Sequence, residues 1–162
     1  VIGGGLAGLL SALQLTREGF SVCVIEKKSF PFHRVCGEYI SNEVVPFLQS
    51  LDAFPEKLRP SSISRFQLSA VGGASATLDL DLGGFGISRY NFDLFLYEKA
   101  KQAGVSFLLN TEVHDVSFKE EFFLISHGTE TTEARVVLGS FGKRSKLDIA
   151  LKRNFINKRS PY

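Results

Sequence analysis

The chain has 162 residues, the size of one globular domain, and its formal net charge of +2 is too small to argue for a nucleic-acid partner or a charged membrane surface. No run of about 18 apolar residues is present, so no integral membrane segment is expected. Cys23 and Cys36 make no disulfide framework, which points to a reducing, cytoplasmic setting, and His33, His114 and His127 lack metal-ligand spacing, so no metal is expected.

The first 26 residues organise the rest. Val1-Ile2 reads as the end of a strand, Leu9 to Gly19 as a helix and Ser21 to Glu26 as a second strand. Between strand and helix stands G-x-G-x-x-G at Gly3, Gly5 and Gly8. In a dinucleotide site the first glycine permits the tight turn, the second lets a pyrophosphate approach the main chain, and the third lets helix pack closely on strand. The helix N-terminus adds unpaired N–H groups and a partial positive charge. Glu26 follows Gly8 by 18 residues, near the spacing of about 20 for an acid that accepts ribose hydroxyls. Such an acid suits FAD or NAD and disfavours the 2′-phosphate of NADP. An exposed acid at a strand end is the plainer reading of Glu26. Leu6, Leu9, Leu10, Leu13 and Leu15 with Ala7 and Ala12 give the helix a broad apolar surface, and Gly19 sits where a C-cap belongs. A strand of about 5 residues is expected before such a turn, and only two precede the glycines here, so the chain reads as a piece cut at its start; the basic tail from Leu151 to Tyr162 reads as cut as well.

Lys27 to Ile40 is an irregular basic loop containing Cys36-Gly37-Glu38, where a plain nicotinamide domain would resume a βα unit. Ser41-Asn42 is expected to cap a helix running to about Leu51, with Pro46 early in it. Residues 61–88 read as an inserted β segment. Ile63, Phe66, Leu68 and Val71 mark one strand, Val71 to Ala74 a turn, and Thr77 to Leu82 a strictly alternating strand with one buried face and a wet face carrying Asp79 and Asp81. Gly83, Gly84 and Gly86 are expected to break it. A helix is expected from about Phe92 to Ala103, with Asn91 as N-cap and Asp93 in its first turn. Gly104 then ends it and Val105 to Leu109 forms a third parallel strand. Thr111 to Phe118, Glu121 to His127 and Thr131 to Leu138 read as a β-meander, which runs into Gly139-Ser140-Phe141-Gly142-Lys143-Arg144-Ser145.

The fold class expected is therefore α/β: one Rossmann-like domain over 1–162 with a β-meander and an inserted, substrate-side β segment. The two glycine-rich sites and the elements between them resemble the FAD-dependent aromatic-hydroxylase superfamily, and within it the geranylgeranyl-reductase-like branch. Besides the opening motif, the resemblance rests on Cys36-Gly37 in the basic loop, on Arg89, Phe92 and Asp93 at the later helix, and on the second glycine site. There it departs: Phe141 stands where that family usually has Asp, which weakens what the resemblance says about NAD(P)H.

The resemblance implies a flavoprotein oxidoreductase that holds FAD, takes electrons from NAD(P)H and acts on a small apolar or isoprenoid molecule. It implies cofactor contacts from Gly3, Gly5, Gly8, Glu26, Lys27, Arg34, Cys36, Gly37, Arg89, Val113 and Gly142; catalytic residues are not assigned. Arg34 and Arg89 are of the type that pairs bidentately with phosphate or ribose oxygens, though Arg34 also reads as a solvated loop charge. Cys36 would lie near the flavin ring, either tuning it or simply packing there. Lys143 and Arg144 read equally as phosphate contacts or as surface charges. The alternatives are an FAD-dependent monooxygenase or halogenase-like enzyme, a nicotinamide-only Rossmann dehydrogenase, and a non-catalytic module on the same fold.

Overall fold

The computed structural model describes residues 1–142 and 145–153. Two compact units emerge, Val1–Phe30 with Tyr97–Tyr162, and Pro31–Leu96.

In the first unit, helix α1 (Leu6–Arg17) follows the glycine turn and strand β1 (Cys23–Ile25) follows the helix. The helix starts three residues before the expected Leu9, because helical bonding begins at the turn itself: the Leu9 N–H donates to the Gly5 carbonyl at 2.9 Å. It buries a narrow stripe of Gly8, Leu9, Ala12 and Leu13, and Gly19, with a φ of +84°, ends it as a C-cap glycine does. Strand β1 pairs in parallel with β5 (Ser106–Leu108) on one side and with Ile2 on the other. Ile2 pairs in turn with Gly139, also in parallel. Across the sheet the order is thus β5, β1, Ile2, Gly139, all parallel. This is the Rossmann-like α/β architecture the glycine spacing called for.

Strands β6 (Val113–Lys119), β7 (Phe122–His127) and β8 (Glu130–Ala134) form the expected antiparallel meander in chain order. Beyond it the chain rejoins the parallel sheet, the Ile2 N–H donating to the Leu138 carbonyl at 2.9 Å and the Ser140 N–H to the Ile2 carbonyl at 2.8 Å. A core of Ile2, Ile25, Val113, Ile125 and Leu147 is buried here, with Phe141 and Val137 packed against it. Leu147 belongs to the short helix α4 (Lys146–Ala150), whose N-cap Ser145 accepts the Leu147 N–H through its side chain.

In the second unit, strand β2 (Tyr39–Ser41) joins β4 (Ser75–Gly86) and β3 (Ser61–Ser69) in an antiparallel sheet of order β2-β4-β3. Three expectations are corrected there. The helix foreseen from Ser41 onward is a 3-10 turn, Asn42–Val44, followed by α2 (Val45–Ser50). Pro46 lies in the first turn of α2, where its missing N–H costs nothing, and the Asn42 amide donates to the Leu82 carbonyl at 2.8 Å instead of capping. Gly83, Gly84 and Gly86 do not break β4, which runs on through them to Gly86. They make room for β2: a Cβ on Gly84 would overlap the Tyr39 ring and the Ile40 carbonyl. The alternation from Thr77 to Leu82 does not bury one face, since Leu78 and Leu82 are exposed like the aspartates between them and Leu80 is only half-buried.

Helix α3 (Arg89–Gln102) begins ahead of Asn91, which is an exposed residue inside it. The Phe92 N–H donates to the Ser88 carbonyl at 2.9 Å, so the turn is closed by main chain before an Asn91 cap is needed. Among the described residues no helix is long and apolar enough to cross a membrane, and no group of three or more His, Cys, Asp or Glu is placed to hold a metal ion.

Candidate functional site

The glycine turn of the first unit is built by its own exclusions. Gly3 has a φ of +103°, a conformation that side chains resist, and a Cβ there would also run into the Ser140 carbonyl. A Cβ on Gly8 would overlap the Gly3 carbonyl oxygen, so the third glycine brings helix and strand into direct main-chain contact. Gly5 is the N-cap of α1 in extended backbone, φ −83° and ψ −175°, with no side-chain cap. The first-turn N–H groups of a helix have no intrahelical acceptor, and at the start of α1 the N-cap residue offers them no side-chain hydrogen bond.

Glu26 closes the corner. Its side chain is 6% exposed. Oε2 accepts the Gly4 N–H at 2.7 Å and Oε1 accepts the Lys28 N–H at 3.0 Å, so the carboxylate is turned onto the glycine turn. The main chain of Glu26 is held too, its N–H donating to the Leu108 carbonyl at 2.9 Å and its carbonyl accepting the Thr111 N–H at 3.0 Å. Phe30, which the sequence offered no reason to single out, lies over Gly4: a Cβ on Gly4 would come within 2.8 Å of its ring and 3.2 Å of the Glu26 side chain. The Phe30 ring stacks on Tyr97 at 4.6 Å between centroids, and Tyr97 meets Phe107 edge-on at 4.7 Å.

The second glycine site lies against the first through Gly3 and Ser140. Phe141 turns into the apolar core rather than standing free in the loop. Gly142 has a φ of +77° and open space where a Cβ would be. Lys143 and Arg144 lie outside the described residues. Lys27 is exposed beside Glu26. The Val113 side chain is buried in the core, so only its main chain is presented elsewhere.

The second unit gathers Arg34, Cys36 and Arg89 around Asp93, which the sequence offered as a first-turn acid and as part of the later-helix resemblance; because α3 starts at Arg89, Asp93 lies beyond its first turn. Asp93 is fully buried, its side chain 0% exposed. The Arg34 Nε donates to Oδ2 at 2.9 Å, and Arg89 donates from Nε to Oδ1 at 2.8 Å and from Nη2 to Oδ2 at 3.0 Å. Burial pulls the Arg89 guanidinium down, but hydrogen bonds and charge from Asp93, and then from Cys36, outweigh it and hold Arg89 above its ordinary value. Arg34 also lies over the Phe32 ring at 4.3 Å. Gly37 is exposed in open space beside this cluster. The i,i+4 spacing of Arg89 and Asp93 is a pairing signal that was readable in the sequence; the convergence of Arg34 from 59 residues away was not.

Residues 1–43 match the family model of the NAD(P)-binding Rossmann-like domain. The chain is 31% identical over 130 residues to a flavin-dependent halogenase of Armillaria mellea, a match covering 75% of this chain and 25% of the halogenase. It is 29% identical over 169 residues to digeranylgeranylglycerophospholipid reductase 1 of Methanosphaera stadtmanae, covering 99% of this chain and 41% of the reductase. The sequence likeness is thus to flavin-dependent enzymes of more than one kind. Among solved structures, halogenase PltM in complex with phloroglucinol and FAD superposes with a TM-score of 0.78 at 18% identity, covering 93% of this chain and 35% of that one. The chain spans from a quarter to two fifths of the length of these curated relatives. The halogenase and reductase matches are of comparable strength, so the likeness favours neither kind of enzyme.

Proposed function

We propose that this chain supplies the nucleotide-binding part of an FAD-dependent oxidoreductase. The observation that carries the reading is Glu26: a buried carboxylate, bonded to the N–H of a G-x-G-x-x-G turn, at the end of the strand after the helix. A carboxylate has about four acceptor sites, enough to serve turn N–H groups and ribose hydroxyls alike. Gly3, Gly5 and Gly8 hold the adenosine diphosphate half against bare main chain, with Lys27 at the rim, the Val113 main chain beside the base and Gly142 in the second loop. Arg34 and Arg89, with Cys36 and Gly37 between them, receive anionic or hydroxyl oxygens of the cofactor. FAD supplies the electron-transfer chemistry when bound. The protein's own residues bind it, orient it and keep a carboxylate facing the sugar.

The finer reading is a geranylgeranyl-reductase-type flavoprotein acting on an apolar or isoprenoid substrate, with NAD(P)H as electron donor. Cys36-Gly37 and the match along 99% of this chain support it. The halogenase or monooxygenase reading has support of its own in the 31% identity to the Armillaria mellea enzyme. Titrating the protein in its complete reading frame with FAD, and following NAD(P)H oxidation with an isoprenoid and with an aromatic effector, separates them. Flavin uptake with isoprenoid-dependent turnover is the expected result. Oxygen consumption driven by an aromatic effector selects the second reading, and a protein that takes up NAD but no flavin overturns both. The 162-residue chain alone is expected to bind FAD more weakly than micromolar.

A further inference from the structure

Phe141 belongs to the second glycine loop, yet its ring leaves that loop and packs against the core of Ile2, Ile25, Val113, Ile125 and Leu147. On the way it folds back over its own strand, so that a Cβ on Gly139 would come within 2.8 Å of the ring. Gly139 in turn pairs with Ile2, the residue just before the first glycine motif. The main chain next to the ring presses on that motif. The Ser140 N–H donates to the Ile2 carbonyl at 2.8 Å. A Cβ on Gly3 would meet the Ser140 carbonyl and lie 3.0 Å from Phe141 Cα, and a Cβ on Gly8 would lie 3.4 Å from Ser140 Cβ. Gly3 and Gly8 thus have Ser140 and Phe141 as direct neighbours, and a shift of the second loop reaches the first at once. All of these residues lie in the first unit. Residues 139–142 carry no charged side chain, so the anchor their side chains supply is apolar, and an aromatic ring brings a large apolar area to it.

We propose that Phe141 is a positioning residue for the first glycine turn: anchored in the core, it holds Ser140 against Gly3 and Gly8 and so keeps the turn in the shape that receives a nucleotide. It acts through Ser140 and the main chain of Gly3, not by contact with the cofactor. The residue by which this loop departs from the family it resembles is thus the one that holds it, and it does so by packing. A carboxylate at 141 would have no place in this core, since burying a charge without a partner is costly. The proposal rests on the flavin reading only for which nucleotide the turn receives.

The test uses the protein in its complete reading frame and sets Phe141→Ala and Phe141→Leu beside Ile125→Ala. Ile125 lies in the same core but on β7, so its truncation removes packing from the meander side. Urea unfolding gives global stability, hydrogen exchange followed by mass spectrometry on peptides covering 1–9 and 138–142 gives local opening, and a flavin titration gives FAD affinity. Both alanine variants are expected to lose stability. Phe141→Ala alone is expected to speed exchange in the two glycine peptides, by about tenfold beyond what its lost stability accounts for, because a loosened loop opens without global unfolding. It is also expected to bind FAD about tenfold more weakly, with Phe141→Leu recovering most of the loss and Ile125→Ala matching the unaltered protein. A Phe141→Ala protein whose glycine peptides exchange no faster than those of Ile125→Ala after that correction, or which binds FAD as tightly as the unaltered protein, overturns the proposal. If Phe141→Ala does not fold, Phe141→Val against Ile125→Val decides the matter on the same two readings: faster corrected exchange and weaker FAD in the first alone support the proposal, and no difference between them overturns it. A protein that never takes up flavin, while Phe141→Ala still loosens the turn, removes the flavin reading and leaves Phe141 holding the turn.

Discussion

Glu26 Oε2 accepts the Gly4 N–H at 2.7 Å across 22 residues of sequence, and both partners are buried. One hydrogen bond thus locks the end of β1 to the turn before α1. It also sets the direction of the carboxylate, since Oε1 is held by the Lys28 N–H at 3.0 Å. Hydrogen bonds from main-chain donors to a buried carboxylate are worth more than neutral ones, and losing the acceptor leaves a buried N–H unmet. Glu26→Gln keeps the shape but presents an NH₂ to one of two donors. It is expected to cost about 1–3 kcal/mol in urea unfolding and to weaken FAD in the complete reading frame by at least tenfold. Unchanged unfolding with unchanged flavin affinity would remove Glu26 from the site.

The two kinds of glycine in this chain give a paired test. A methyl on Gly8 meets the Gly3 carbonyl, which is main chain and cannot rotate away. Gly8→Ala is expected to lose about 1–3 kcal/mol by overpacking, with the loss seen equally in thermal and urea unfolding. A methyl on Gly37 meets nothing within 4 Å. Gly37→Ala is therefore expected to leave stability within about 0.5 kcal/mol of the unaltered chain. A loss of flavin affinity in Gly37→Ala without a loss of stability would mark Gly37 as a contact residue, whereas a large stability loss contradicts the open space around it.

How much of this was legible in the sequence divides along physical lines. The parallel sheet, the glycine corner and the meander were readable because each rests on local rules: φ at Gly3, close approach at Gly8, period-2 strands between turns. Element boundaries slipped where main chain did a job assigned to a side chain, as at Ser88, whose carbonyl closes the first turn of α3 before Asn91. The Thr77 to Leu82 alternation fixes which side chains share a face of β4, but period alone does not say whether anything covers that face. Asp93 was visible as an acid near a helix start, while its service to Arg34 depends on a contact spanning 59 residues, which no spacing rule reaches. Phe30 had no signal at all, because its partners Gly4 and Tyr97 come together only in the folded chain.

A buried thiol in β1 sets an alkaline limit. Burial pushes the Cys23 thiol above its ordinary 9.0, opposed by the hydrogen bond from the Leu108 main chain. A raised thiol means the unfolded chain releases its proton first above pH 9.0, so stability falls as pH rises from there toward the folded thiol's value. Urea unfolding followed from neutral to alkaline pH checks it: Cys23→Ala is expected to flatten the alkaline limb. An alkaline limb that survives Cys23→Ala assigns it to another group.

The β3–β4 hairpin carries an apolar face without burying it. Phe66 pairs directly with Leu78 and Leu68 with Ala76, which puts Phe66, Leu68 and Leu78 on one side. They are 50%, 64% and 62% exposed, so their apolar area contributes almost nothing to the stability of this chain while remaining available to any apolar surface it meets. The chain is therefore expected to self-associate at high concentration through this face. Leu78→Lys puts a charge at its centre on a side chain already in water, and surface substitutions of that kind change stability by about 0.5 kcal/mol or less. Sedimentation velocity over a concentration series is expected to show the unaltered chain growing in mean mass and Leu78→Lys remaining a monomer, with the two unfolding at the same urea midpoint. A midpoint lowered in Leu78→Lys, with association unchanged, would mean that Leu78 packs within the chain and that the face is not the adhesive one.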